Sequence, residues 1–145
     1  MKISTGLRNH LLVTGSLKNA IDGGVIRIYS GTVPADADAA LSGNTLLCTI
    51  SNNGAGTGIT LDGTPTAGVV GKATGETWRG TNVASGLASF YRFSGLSDAG
   101  GSSTTEIRAQ GTVSSVGADM NLATPSLLSG STQTIDTYVI GMPSA

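Results

Sequence analysis

Apolar and polar positions change rhythm once along this chain, close to residue 22. Before that point leucines recur at helical spacing: Leu7, Leu11 and Leu12 stand at i, i+4 and i+5 behind Ser4 and Thr5, whose side chains suit a helix N-cap. Gly15-Ser16 predicts an interruption, and a second short turn from Leu17 to Ile21 should end at Gly23-Gly24, where glycine readily takes the left-handed C-cap conformation. The helical part is therefore short, amphipathic and confined to residues 5–22.

Beyond it the pattern is that of strands. Val25-Ile26-Arg27-Ile28-Tyr29 is a β-branched and aromatic run closed by Ser30-Gly31, and Thr45 to Ile50 reads as the next strand. Between them Thr32 to Asn44 carries Pro34, Asp36, Asp38 and Gly43 and reads as a surface crossing, with room for one helical turn over Ala35–Leu41. Short strands are expected around Ile59–Leu61 and Gly68–Lys72, after a flexible glycine-rich connection from Asn52 to Gly58.

Glu76 to Phe93 predicts a hairpin, its arms Thr77–Arg79 and Leu87–Phe93 flanking a turn at Ser85-Gly86. Both faces of the second arm carry aromatics, so that strand should be covered on both sides. The clearest two-residue period sets Thr105, Ile107, Ala109, Gly111 and Val113 against Glu106, Arg108, Gln110 and Thr112, which predicts one core face and one wet face. A shorter candidate strand holds Met120 and Leu122, and Thr132 to Ile140 should close the domain before a Pro143-Ser144-Ala145 tail. About eight strands at this turn spacing predict a mainly β fold, an antiparallel β-sandwich over residues 23–145 preceded by a helical segment over 1–22.

Composition supports order. Charged residues are 12% of the 145, and 22 glycines suit short strands and tight turns. An apolar share of 39% with a net charge of −1 argues against a disordered chain. Eight scattered basic residues lack the clustered positive footprint of a nucleic-acid binder, so DNA and RNA are not expected partners. Cys48 stands alone, which excludes an intrachain disulfide and suits synthesis in a reducing cytoplasm. The N-terminus lacks the apolar region of a signal peptide, and no run of about 18 apolar residues offers a membrane span.

Chemical motifs are sparse. His10 has no second histidine at i+4, and its pairing with Cys48 as a catalytic couple would need a helix to meet a core strand. Asp36 and Asp38 begin like a calcium loop but lack its glycine and final glutamate. Asn53 to Gly58 contains G-x-G-x-G without the lysine of a phosphate loop or a following helix. Scattered carboxylates such as Glu76, Asp98 and Glu106 mark no glycosidase pair. Trp78, Phe90, Tyr91 and Phe93 could stack on sugars, but with six aromatics in the chain they are expected in the core. No enzyme and no cofactor is expected.

The runs Leu7–Leu12, Gly15–Lys18, Ile26–Asp38 and Leu46–Ser51, with Gly75–Trp78, Thr104–Val113 and Gln133–Asp136, resemble small virion structural proteins of tailed bacteriophages. Within that group the chain is most similar to capsid decoration, or cement, proteins. The resemblance implies a jelly-roll-like sandwich, a capsid-surface location after synthesis in the host bacterial cytoplasm, the major capsid protein as partner, and a homo-oligomer, dimer or trimer, on the shell, with no membrane partner. Bridging of neighbouring subunits is the expected role. A tail or neck component and a carbohydrate-binding adhesion module with exposed Trp78, Tyr29, Tyr91 or Tyr138 are the alternatives. Leu7, Leu11, Leu12 and Leu17 exceed what so small a helix needs for solubility, so residues 1–22 are expected either to dock onto the shell as an arm or to cap the sandwich.

Overall fold

A computed structural model of the chain describes residues 1–142; the expected Pro143-Ser144-Ala145 tail lies outside the described residues. A short strand β1 (Lys2–Ile3) precedes helix α1 (Thr5–Val13) and helix α2 (Leu17–Ile21). Ser4 and Ser16 cap the two helices, each accepting a backbone N–H three residues on, from Leu7 and Asn19. Gly23, at φ 83°, carries the chain out of α2 in the left-handed region that glycine tolerates.

The remaining elements are strands: β2 (Val25–Ser30), β3 (Thr45–Asn52), β4 (Val69–Gly71), β5 (Trp78–Thr81), β6 (Gly86–Leu87), β7 (Phe90–Ser94), β8 (Arg108–Ser114), β9 (Met120–Asn121), β10 (Ser126–Leu127), β11 (Thr132–Ile135) and β12 (Val139–Gly141). The fold is mainly β, with a large antiparallel sheet and a short N-terminal helical segment. The sheet runs β1-β8-β7-β2-β3-β5-β11, and β9 adds to β8 in parallel. Two small sheets, β4·β12 and β6·β10, complete a sandwich-like arrangement.

Strand alternation gives the main sheet two different faces. Ile50, Ile26, Phe93 and Ala109 stand in register across β3, β2, β7 and β8, with Ile3 of β1 beyond them. This row belongs to a single apolar core that also takes in Leu7 and Ile21 from the helices, Ile59 and Leu61 from the segment after β3, and Leu127 and Ile140 from the small sheets. The core's aromatics pack edge-on, Trp78 and Phe93 at 6.3 Å and Phe93 and Tyr138 at 6.0 Å between ring centres.

Several expectations are corrected. The Glu76–Phe93 hairpin does not form: β5 pairs with β3 and β11, while β7 pairs with β2 and β8. Ser85-Gly86 does not close a turn because Gly86 and Leu87 leave to pair with β10, and Val83 donates its N–H to Leu47. Over Ala35–Leu41 there is no helical turn; the Asp36 carboxylate instead accepts from the N–H groups of Asp38 and Ala39, a local bond that competes with helix. The closing strand splits into β11 and β12, which join different sheets. Ile59 and Leu61 make single bridges rather than a strand. The face of β8 expected to be wet is so only at Glu106 and Thr112: Arg108 and Gln110 are buried, and the strand begins at Arg108, not Thr105.

Candidate functional site

The second face of the main sheet carries a polar row that is buried where it crosses β7 and β8. Thr49, Arg27, Arg92 and Gln110 stand in register across β3, β2, β7 and β8, and Lys2 of β1 extends the row. Arginines directly opposite one another repel. Backbone carbonyls resolve the conflict: Arg27 donates to Gly95 and Leu96, while Arg92 donates to Ala39 at 2.7 Å and to the Gln110 side-chain oxygen at 2.8 Å. Burial, with Arg108 alongside, pulls the Arg92 guanidinium below its ordinary pKa.

Arg108 forms a two-pronged pair with Asp98, Nε to Oδ2 at 2.6 Å and Nη2 to Oδ1 at 2.7 Å, and both side chains are almost fully buried. Burial pushes the Asp98 carboxyl up, but the Arg108 bonds and the Gly100 N–H outweigh it and hold the group below the usual carboxylate range. The remaining donors reach the crossing loop. Gln110 donates to Pro34, Arg108 to Ala37 and Lys2 to Ala35, while the Asp38 carboxylate accepts from the backbone and hydroxyl of Thr5. Loop 34–39 is thereby fastened to the sheet through its own carbonyls. Arg92 Nη1 finds no partner among the described residues, but the other bonds tie the loop's carbonyls to buried donors of the sheet. Buried networks of this kind rigidify a structure and make the loop a scaffold part.

The four N-terminal leucines separate. Leu7 is fully buried in the core, and Leu11 and Leu17 pack against it; Leu12, 79% exposed, is left at the surface with Val13 beside it. Gly6 explains how closely the helix sits: a Cβ there would collide with the backbone oxygens of Thr105 and Glu106. With Ser4 bonded to Arg108 and Glu106 as well, residues 1–22 are part of the folded domain, so Leu7 is unavailable to a partner.

Residues weighed for chemistry occupy structural positions. Cys48 is fully buried in β3, and burial pushes its thiol up to about 11, leaving it protonated and unreactive near neutrality. Glu76 accepts from the Thr60 backbone and hydroxyl and from Trp78 Nε1 at 2.6 Å; these bonds outweigh its partial burial and hold its carboxyl low. Asn53 to Gly58 is a tight turn in which Asn53 and Gly54 both have positive φ. Among the described residues no three His, Cys, Asp or Glu side chains gather as a metal site, and no helix is long and apolar enough to cross a membrane. All six aromatics are buried, including Trp78, Tyr29, Tyr91 and Tyr138. Their rings are committed to packing, as expected of a chain with six aromatics.

What the surface offers instead is apolar side chains at two corners. Val83, Leu87 and Leu128 are each about two-thirds exposed, on segments bonded side by side through β6·β10 and the Gly130 to Asn82 bond. Val69, Val139 and Met142 are exposed on the β4·β12 sheet, beside a pocket of about 330 Å³ walled by Leu17, Pro65, Val70 and Ile140. Neither corner could be read from the sequence, since Val69, Leu87 and Val139 fall in expected strands whose alternation does not say which side chains stay uncovered. No protein-family model, curated protein or solved structure matches the chain.

Proposed function

We propose that this protein is a virion structural protein of a tailed phage that decorates the capsid and cements neighbouring major capsid protein subunits. The observation that carries the reading is the pair of separate apolar corners, one on each small sheet, held on a scaffold whose polar face is fastened to the 34–39 loop. A cement protein has to touch more than one neighbour at once and keep those contacts at a fixed distance. Two apolar corners supply the contacts, and the bonds that fasten loop 34–39 to β7 and β8 stiffen the sheet of the domain that carries them. The low charge fits the same role, because a weakly charged surface resists association poorly.

Specific interfaces bury roughly 800 Å² per partner, so each corner would be the centre of a contact extending over its neighbouring polar rim. Repetition over a symmetric shell makes contacts of modest affinity effective. The sequence resemblance to small phage virion proteins supplies the particular setting. The test is the copy number of this protein in purified virions, relative to the shell protein, by quantitative mass spectrometry. Hundreds of copies in a simple ratio to the shell are expected; a few dozen would move the protein to the tail or neck, and absence would sink the virion reading.

A further inference from the structure

The main sheet ends in an open edge at β11. Its pairing to β5 sets Thr132, Gln133, Thr134 and Ile135 against Thr81, Gly80, Arg79 and Trp78. The bond from the Asn82 N–H to the Ser131 carbonyl fixes the phase of the antiparallel ladder. By alternation, Gln133 and Ile135 turn their backbone groups toward β5, and Thr132 and Thr134 turn theirs outward. Among the described residues the outward groups have no backbone partner, and the only bond to them is a long one, 3.5 Å, from the Gln133 side chain to the Thr134 carbonyl. Beside this edge lies a groove of about 430 Å³, bounded on its far side by residues 119–123.

Natural edge strands are usually guarded by charge, proline or a bulge. From Ser129 to Ile135 the chain has neither charge nor proline, and β11 pairs with β5 without a register shift. We infer that β11 is a self-association edge, taking the β11 strand of a second copy in antiparallel order. Three observations favour a second copy over a foreign strand. A two-fold axis at Gln133 sets Thr132 of one copy against Thr134 of the other, so the outward N–H and C=O groups answer one another with no further sequence needed. Two neutral edges meet without repulsion. Leu128 and Val139, exposed just before and just after the strand, would be brought toward the partner and covered.

Four residues of strand bury less than the 1,200–2,000 Å² of a stable specific interface, so the dimer should be weak in dilute solution. It does not depend on the virion reading, because it is measured on the isolated protein. The experiment is sedimentation equilibrium across roughly 1 μM to 1 mM, a span that brackets weak dissociation constants, with hydrogen exchange at the Thr132 and Thr134 amides.

The expected result is a concentration-dependent dimer in which both amides gain protection. Thr132→Pro removes an outward N–H at the start of the strand, where proline is tolerated, and Gln133→Glu places two carboxylates together at the axis. Each should weaken the dimer at least tenfold while circular dichroism shows the monomer still folded. A monomer throughout the range, or a dimer that survives either substitution in folded protein, overturns the inference.

Discussion

Asp98 shows how much one side chain carries here. Its carboxylate is almost fully buried and faces the Arg108 guanidinium through two short bonds, so removing its charge leaves a buried cation without its counter-ion. Breaking a buried pair from one side costs about 3–5 kcal/mol. Asp98→Asn is therefore expected to lower the unfolding free energy at pH 7 by about 3 kcal/mol, read from urea melts. The sign of the pH dependence follows from the depressed carboxyl. Its contribution is complete above the unfolded aspartate value of about 3.9 and is lost as pH falls through the lower folded value. The gap between wild type and Asp98→Asn should accordingly be constant from pH 7 to about 5 and shrink below about 4. A gap that stayed constant to pH 2 would show that the pair's charge is not what Asp98 supplies.

At the scale of elements, α1 combines a buried anchor and a free end. Leu7→Ala removes a fully buried side chain and is expected to cost about 3 kcal/mol, as core leucine truncations do. Leu12→Asp alters an exposed position and should shift stability by no more than about 0.5 kcal/mol. Equal losses would mean that the helix lies differently against the core. The helices, β2 and β3 were legible in the sequence because caps, glycine stops and continuous β-branched runs are local signals. The polar face was not, because alternation distinguishes two faces of a strand without saying what covers the second. Arg108 and Gln110 read as wet, but Asp98 and Arg92 bond to them, and the carbonyls of Pro34 and Ala37 reach them from more than 70 residues away in sequence. The false hairpin has the same origin: Trp78 and Phe90 are close in the chain, yet each finds its partner strand elsewhere. Of the four leucines singled out, Leu12 stands exposed and Leu17 walls the pocket at the β4·β12 corner, and the two apolar corners depend on tertiary neighbours that no local pattern records.

For the whole molecule the distribution of pairings sets how it folds. Ile3 pairs with Ala109, Tyr29 with Phe90, and Trp78 with Ile135, so the sheet is closed by contacts between distant parts of the chain. Loop-closure entropy must be paid before such contacts return anything, and β folds of this type refold in milliseconds to seconds. The N-terminal strand and helix are tied to β8, and one core cluster spans α1 through β12, so no part has a separate core on which to fold first. Unfolding should then be a single cooperative transition. Trp78, fully buried against Phe93 and Tyr138, is the sole tryptophan and reports on that core directly. Stopped-flow fluorescence is expected to give one refolding phase of roughly 1–1,000 s⁻¹ in water, with urea melts by fluorescence and far-ultraviolet dichroism superimposing. Separate transitions for the two probes would mean that the helical segment unfolds apart from the sheet. In that case Leu7 would contribute less to the global stability than its burial demands, and the N-terminal segment would regain the independence that an arm requires.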